Sequence, residues 1–148
     1  MTILDEVFNF SDLQSMVASN AAETVSTDVI DSGSDMKDAF GTAIYDARLG
    51  SQAKAPVVVC TIGTGITASA IITVAIKSKA ASATITSSGT THVSSAFAAG
   101  AAANTQLILP VPVSGMNRYW GLTYTVSGTA VLAGTMNAYL ADAGELHD

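Results

Sequence analysis

The chain has 148 residues, a size at which one domain buries about 70% of its unfolded surface. Only 12% of it is charged, about half the ~25% usual for globular proteins. No Asp or Glu occurs between Asp46 and Asp142, so most of the chain lacks the carboxylates on which acid/base catalysis and metal chelation lean. This composition suggests a structural or binding protein rather than an enzyme. The net charge of −6 is unevenly placed: nine acids face only Lys37 and Arg48 up to Gly50, while the body beyond carries Lys54, Lys77, Lys79 and Arg118. Without a clustered basic face, nucleic acid is excluded as a partner. The start of the chain, Met1 to Leu13, has three acids and no basic residue, which argues against a targeting peptide, and no apolar run approaches the ~18 residues of a membrane span.

The first segment, residues 1–22, reads as an arm distinct from a domain over 23–148. Phe8, Phe10, Leu13, Met16 and Val17 form an apolar stripe, and Ser11 could cap a short helical turn through Val17. So short a helix is marginal unless it lies on another surface. From Thr24 the pattern alternates as a β-strand does, with Val25, Thr27 and Val29 on one face before the turn at Asp31 to Ser34. Pro56 opens an apolar strand from Val57 to Ile62. Ile72, Val74 and Ile76 then share one face of the next, with Thr73, Ala75, Lys77 and Lys79 on a face expected to be solvated. Ser82–Ser87 and Thr91–Phe97 are weaker strands, and the alanine-rich 96–103 reads as a loop. Leu107, Leu109, Val111 and Val113 alternate with Pro110 and Pro112, which places that strand at a sheet edge. Trp120, Leu122, Tyr124 and Val126 follow as a core-facing set, and a last strand runs from Ala130 to Leu140. Some eight strands with regular turns and almost no amphipathic helix indicate an all-β sandwich or barrel.

Candidate chemistry is sparse. Gly63-Thr64-Gly65-Ile66-Thr67-Ala68 fits a dinucleotide-binding spacing, but Ile71 to Ile76 is nearly all β-branched and no acid follows before Asp142, so it reads as a glycine turn. Asp28, Asp31, Asp35 and Asp38 form an acidic turn whose spacing fails that of a Ca²⁺ loop. His92 and His147 show no ligand spacing with each other or with Cys60, and Cys60, set among valines, reads as a small core residue. Tyr119, Trp120 and Tyr124 could make a sugar-stacking platform, although neighbours on a strand face opposite sides.

The ordered signatures resemble the small jelly-roll capsid cement, or decoration, proteins of tailed bacteriophages. The opening Ile3-Leu4-Asp5 with Phe10-Ser11-Asp12-Leu13-Gln14, the Asp28-Val29-Ile30-Asp31 strand end, and above all Leu109-Pro110-Val111-Pro112 followed by Gly115-Met116-Asn117-Arg118-Tyr119-Trp120-Gly121-Leu122-Thr123-Tyr124-Thr125-Val126 carry that resemblance. Gly121 departs from it, standing where a long basic side chain is expected, and residues 82–103 do not fit its pattern. The resemblance implies a single-domain jelly-roll β-sandwich of about eight antiparallel strands with an extended N-terminal arm. It implies a homotrimer made in the host bacterial cytoplasm and seated on the outer surface of the virion head, where it ties neighbouring copies of the major capsid protein together against packaged DNA. No cofactor, nucleic acid or membrane is implied. Phe8, Phe10, Asp12 and Leu13 are the expected capsid-docking residues of the arm, with attachment weakening in salt; the competing expectation is that Phe8 and Phe10 cover the sandwich's own open end. A carbohydrate-binding sandwich on the virion or at host attachment is the alternative function.

Overall fold

The computed structural model of the chain describes residues 9–31, 56–80, 85, 88–112 and 117–142. Among these residues the chain is all-β, with no helix. The strands are β1 (Asn9–Ser15), β2 (Glu23–Val25), β3 (Ile30–Asp31), β4 (Pro56–Ile62), β5 (Ile71–Lys79), β6 (Thr90–Ala96), β7 (Gln106–Pro110), β8 (Tyr119–Ser127) and β9 (Thr135–Asp142). They form two antiparallel sheets, ordered β1-β9-β4-β7 and β2-β8-β5-β6, with β3 also on β8. Counting β2 and β3 as one interrupted strand, the pairings nest: β1 with β9, β2/β3 with β8, β4 with β7, and β5 with β6. Nested pairing of this kind is a long hairpin folded over on itself, the strand order of a jelly roll.

The inward faces follow the period of two that the sequence displays. Ile72, Val74 and Ile76 of β5 and Trp120, Leu122, Tyr124 and Val126 of β8 pack into one core with Val58, Cys60 and Ile62 of β4 and with Met136 and Ala138 of β9. Leu109 joins them from β7, which is an edge strand, where Pro110 is tolerated because its missing N–H faces no neighbour. The 63–70 stretch connects β4 to β5 as a loop, so no helix follows Gly63 and Gly65.

Two expectations are corrected. Residues 11–17 are not helical: β1 pairs with β9 in the first sheet, and Phe10 is fully buried, its ring 5.4 Å from that of Trp120. A lone helical turn would leave its backbone to water, whereas the ladder satisfies it and buries Phe10. The boundary drawn at residue 22 therefore does not separate these residues from the sandwich. Nor is the outer face of β5 solvated, because Ala75 and Lys77 are buried there. Lys77 lies along the sheet and donates from Nζ to Glu23 Oε2 at 2.7 Å. Gly121 sits on the same covered face: a Cβ there would meet Ser26 Oγ at 3.2 Å, Val29 Cγ2 at 3.3 Å and Ile85 Cγ1 at 3.4 Å. The space over Gly121 is thus occupied by Ser26, Val29 and Ile85 in this chain, which leaves little room for the long side chain expected there.

Candidate docking surface

The flank where the sheets meet at β1 and β2 is held by side chains. The register of β1 against β9 shifts twice, between Asn9 and Ser11 and between Ser11 and Gln14, so the strand bulges outward at Asp12 and Leu13. Gln14 fixes the bulge from inside: its Nε2 donates to Val25 O at 2.7 Å, while its Oε1 accepts from Ser11 Oγ at 2.6 Å and from Thr27 N at 3.1 Å. Because Ser11 gives its proton to Gln14, the Tyr124 hydroxyl donates to Ser11 Oγ across 2.7 Å. Asp28 N donates to Phe10 O at 3.0 Å, linking β1 to the interrupted strand opposite. At that interruption Ser26 Oγ accepts from Leu122 N at 3.1 Å and donates to Asp28 O at 2.8 Å, standing in for the missing ladder.

This framework presents Leu13 in an unusual way. Its φ of 45° lies in the left-handed region that large side chains avoid, yet its side chain is 60% exposed. Its backbone N–H donates to Asn137 Oδ1 at 2.6 Å, and its Cδ2 lies 3.0 Å from where a Cβ on Gly63 would stand. Gly63 therefore leaves the space that Leu13 crosses. Further along, Met16 N donates to Gly134 O at 3.0 Å and Ala18 bridges Val131, so residues 16–18 run beside 131–134. From these paired stretches Val17 and Leu132 project, 58% and 75% exposed. Leu13, Val17 and Leu132 make an apolar rim on one end of the sandwich.

Of the four residues expected to dock, Asp12 and Leu13 are exposed on the bulge, Phe10 belongs to the core, and Phe8 lies outside the described residues. Phe10 is packed in the sandwich core and so is not available at an exposed surface. Leu132 was missed because it stands inside the span assigned to the last strand, where alternation hides an exposed loop leucine. The positive φ of Leu13 leaves no mark in sequence.

Other polar groups are engaged in the fold. Ser78, 1% exposed, lies with its Oγ 2.6 Å from His92 Nε2 and accepts from Asn117 N at 3.1 Å and Asn117 Nδ2 at 3.2 Å. This part-buried arrangement ties residue 117 to β5 and engages the Ser78 hydroxyl and His92 in the fold. Burial pushes the Cys60 thiol up to about 12, far from a reactive thiolate. Arg118 forms a two-point pair with Asp31 (Nε to Oδ1 2.7 Å, Nη2 to Oδ2 2.8 Å) and lies 5.0 Å over the Tyr119 ring. Trp120 faces the core, so the suggested sugar platform is not assembled there. Asp35, Asp38 and His147 lie outside the described residues.

No curated protein matches the chain. The family model described as Bbp16 does, over residues 10–140, a span that begins inside β1 and ends inside β9 and so takes in both sheets. The chain belongs to the Bbp16 family.

Proposed function

We propose that this protein is a capsid cement protein of a tailed bacteriophage, binding the outer surface of the head and tying neighbouring major capsid subunits together. The observation that carries the reading is the apolar rim of Leu13, Val17 and Leu132, with Leu13 held left-handed and exposed at a bulge braced by Gln14 and Asn137. Backbone strain that the surroundings maintain around an exposed apolar side chain serves contact with something else, since solvent gains nothing from it. A densely packed sandwich supplies the stiffness that cementing needs, and many copies with modest contacts add up through avidity. The homotrimer implied by the sequence resemblance is the arrangement proposed on the particle. The carbohydrate-binding alternative has no comparable support, because Trp120 is buried and Tyr119 lies under Arg118.

Attachment to undecorated heads tests this. Leu13→Asn suits the left-handed backbone better than leucine and removes the apolar knob. The variant is expected to stay folded and to bind heads at least ~10-fold more weakly, a loss of about 1.4 kcal/mol. Wild-type affinity in a folded Leu13→Asn protein would take the docking role away from the rim, and no binding by the wild-type chain would remove the cement function.

A further inference from the structure

Residues 63–70 carry the chain from β4 in one sheet to β5 in the other, and residues 128–134 carry it back from β8 to β9. Threonine side chains lace these two connections together. Thr135 Oγ1 accepts from Thr64 N at 2.8 Å, and Thr129 Oγ1 donates to Ala68 O at 3.4 Å. Between them Thr67 Oγ1 accepts from two successive backbone groups, Leu132 N at 2.8 Å and Ala133 N at 3.2 Å. Ile66 is buried beside Gly134, so close that a Cβ there would stand 2.8 Å from Ile66 Cγ2. The Gly63 to Ala68 stretch that reads as a glycine turn in sequence is therefore the partner against which the β8–β9 connection is fitted.

Two consecutive N–H groups converge on one oxygen only where the backbone curls around it, so Thr67 sets the course of the chain at the residue that carries the first of them. That residue is Leu132, the most exposed leucine of the rim. The chain is anchored on either side of it. Val131 is fully buried and exchanges backbone bonds with Ala18 at 2.9 and 3.0 Å, while Gly134 O accepts from Met16 N. Leu132 thus stands at the top of a short arch with its side chain in water. The two bonds from Thr67 lie at the surface, where water can replace the hydroxyl, so they add little to the stability of the fold. Their effect is on where the leucine stands. At the start of the same loop Gly63 leaves the space that Leu13 crosses, so one connection places both leucines.

We infer that Thr67 is the positioning residue of the docking rim, holding Leu132 in its binding place before any partner arrives. The inference rests on the docking role proposed above for Leu13, Val17 and Leu132. An exposed leucine on a loose loop becomes ordered only on contact, and the entropy lost in that ordering weakens binding. Held through Thr67, Leu132 meets the capsid surface already ordered. The hydroxyl oxygen does this, rather than the shape of the side chain. Valine has nearly the outline of threonine and no acceptor, whereas serine lacks the methyl group and keeps the oxygen. Thr67→Val and Thr67→Ser therefore separate positioning by the hydroxyl from packing by the side chain.

The test reads amide hydrogen exchange on the free full-length chain and attachment to undecorated heads, for wild type and both variants. In Thr67→Val the Leu132 and Ala133 amides are expected to exchange at least ~10-fold faster than in wild type, with the melting temperature little changed. The same variant should bind heads at least ~10-fold more weakly. Thr67→Ser should behave as wild type in both measurements, a rescue that a packing role for the threonine would not give. Equal protection of Leu132 and Ala133 in wild type and a folded Thr67→Val would overturn the positioning, whatever the heads do. Lost protection with wild-type attachment would overturn its part in docking. A wild-type chain that binds no heads would remove the cement reading and the docking role of Thr67 with it, while the exchange data decide separately whether Thr67 holds Leu132. If Thr67→Val fails to fold, the wild-type protein decides: protection of both amides supports the proposal, and exchange of both at the rate of an unstructured chain overturns it.

Discussion

Leu13 combines an unfavourable backbone with an exposed apolar side chain, and substitution should therefore separate stability from attachment. A left-handed non-glycine residue costs about 1 kcal/mol or more, and asparagine tolerates that region best after glycine. Leu13→Asn is expected to hold or raise the melting temperature, and a fall of several degrees would mean that its contact over Gly63 outweighs the strain. Thr123 is a second case of a residue not optimised for stability. It is fully buried, and among the described residues its Oγ1 has no hydrogen-bond partner. Thr123→Val, with a similar shape, should stabilise the protein by about 1 kcal/mol in a denaturant titration, whereas a loss of that size would reveal a partner for the hydroxyl. Cys60 and Tyr124 set the alkaline limit. Burial raises both, Cys60 to about 12 from 9.0 and Tyr124 upward from 10.0 by burial and the neighbouring Cys60 against the lowering bond from Ser11. The folded chain thus keeps protons that the unfolded chain releases, and stability is constant through neutral pH and falls as pH rises above about 9. Thermal melts from pH 7 to 11 should show that fall, and a flat profile would contradict the burial of both groups.

At the scale of elements, β1 is where the sequence was least informative and the consequence is largest. Its stripe of Phe10, Leu13, Met16 and Val17 fits a helical spacing, but two register shifts put both Phe10 and Ser11 on the inner side and push Asp12 and Leu13 outward. Bulges break the period of two that strand recognition depends on, so a bulged strand imitates a helix. Deleting Met1 to Val17 should consequently abolish cooperative folding by circular dichroism, because it removes an edge strand with Phe10 and Met16 from the core. A truncated chain that melts like the full one would restore the detached arm. The regular strands β4, β5 and β8 were legible in their alternating branched and aromatic residues, and so was the edge position of the proline-bearing β7. What alternation could not reveal was cover on an outer face: Lys77 looks solvated in sequence, yet it lies buried against the sheet with Glu23. The candidate site was partly legible, Leu13 and Val17 from the apolar stripe, while Leu132 depended on a loop whose path no local pattern encodes.

For the whole molecule, the described residues present three distinct surfaces: a flank closed by Gln14, a flank where β6 and β7 are the terminal strands of their sheets, and an end carrying Leu13, Val17 and Leu132. A protein that links capsid subunits needs at least two faces in use at once, since one contact decorates a shell without tying it together. The most direct test is a cryo-electron microscopy reconstruction of the intact particle that carries this chain. The account predicts density for the sandwich on the outer surface of the head, at junctions between neighbouring major capsid subunits, with the Leu13, Val17 and Leu132 rim against the shell. Density for the chain on the tail alone, or a complete head without it, would contradict the account.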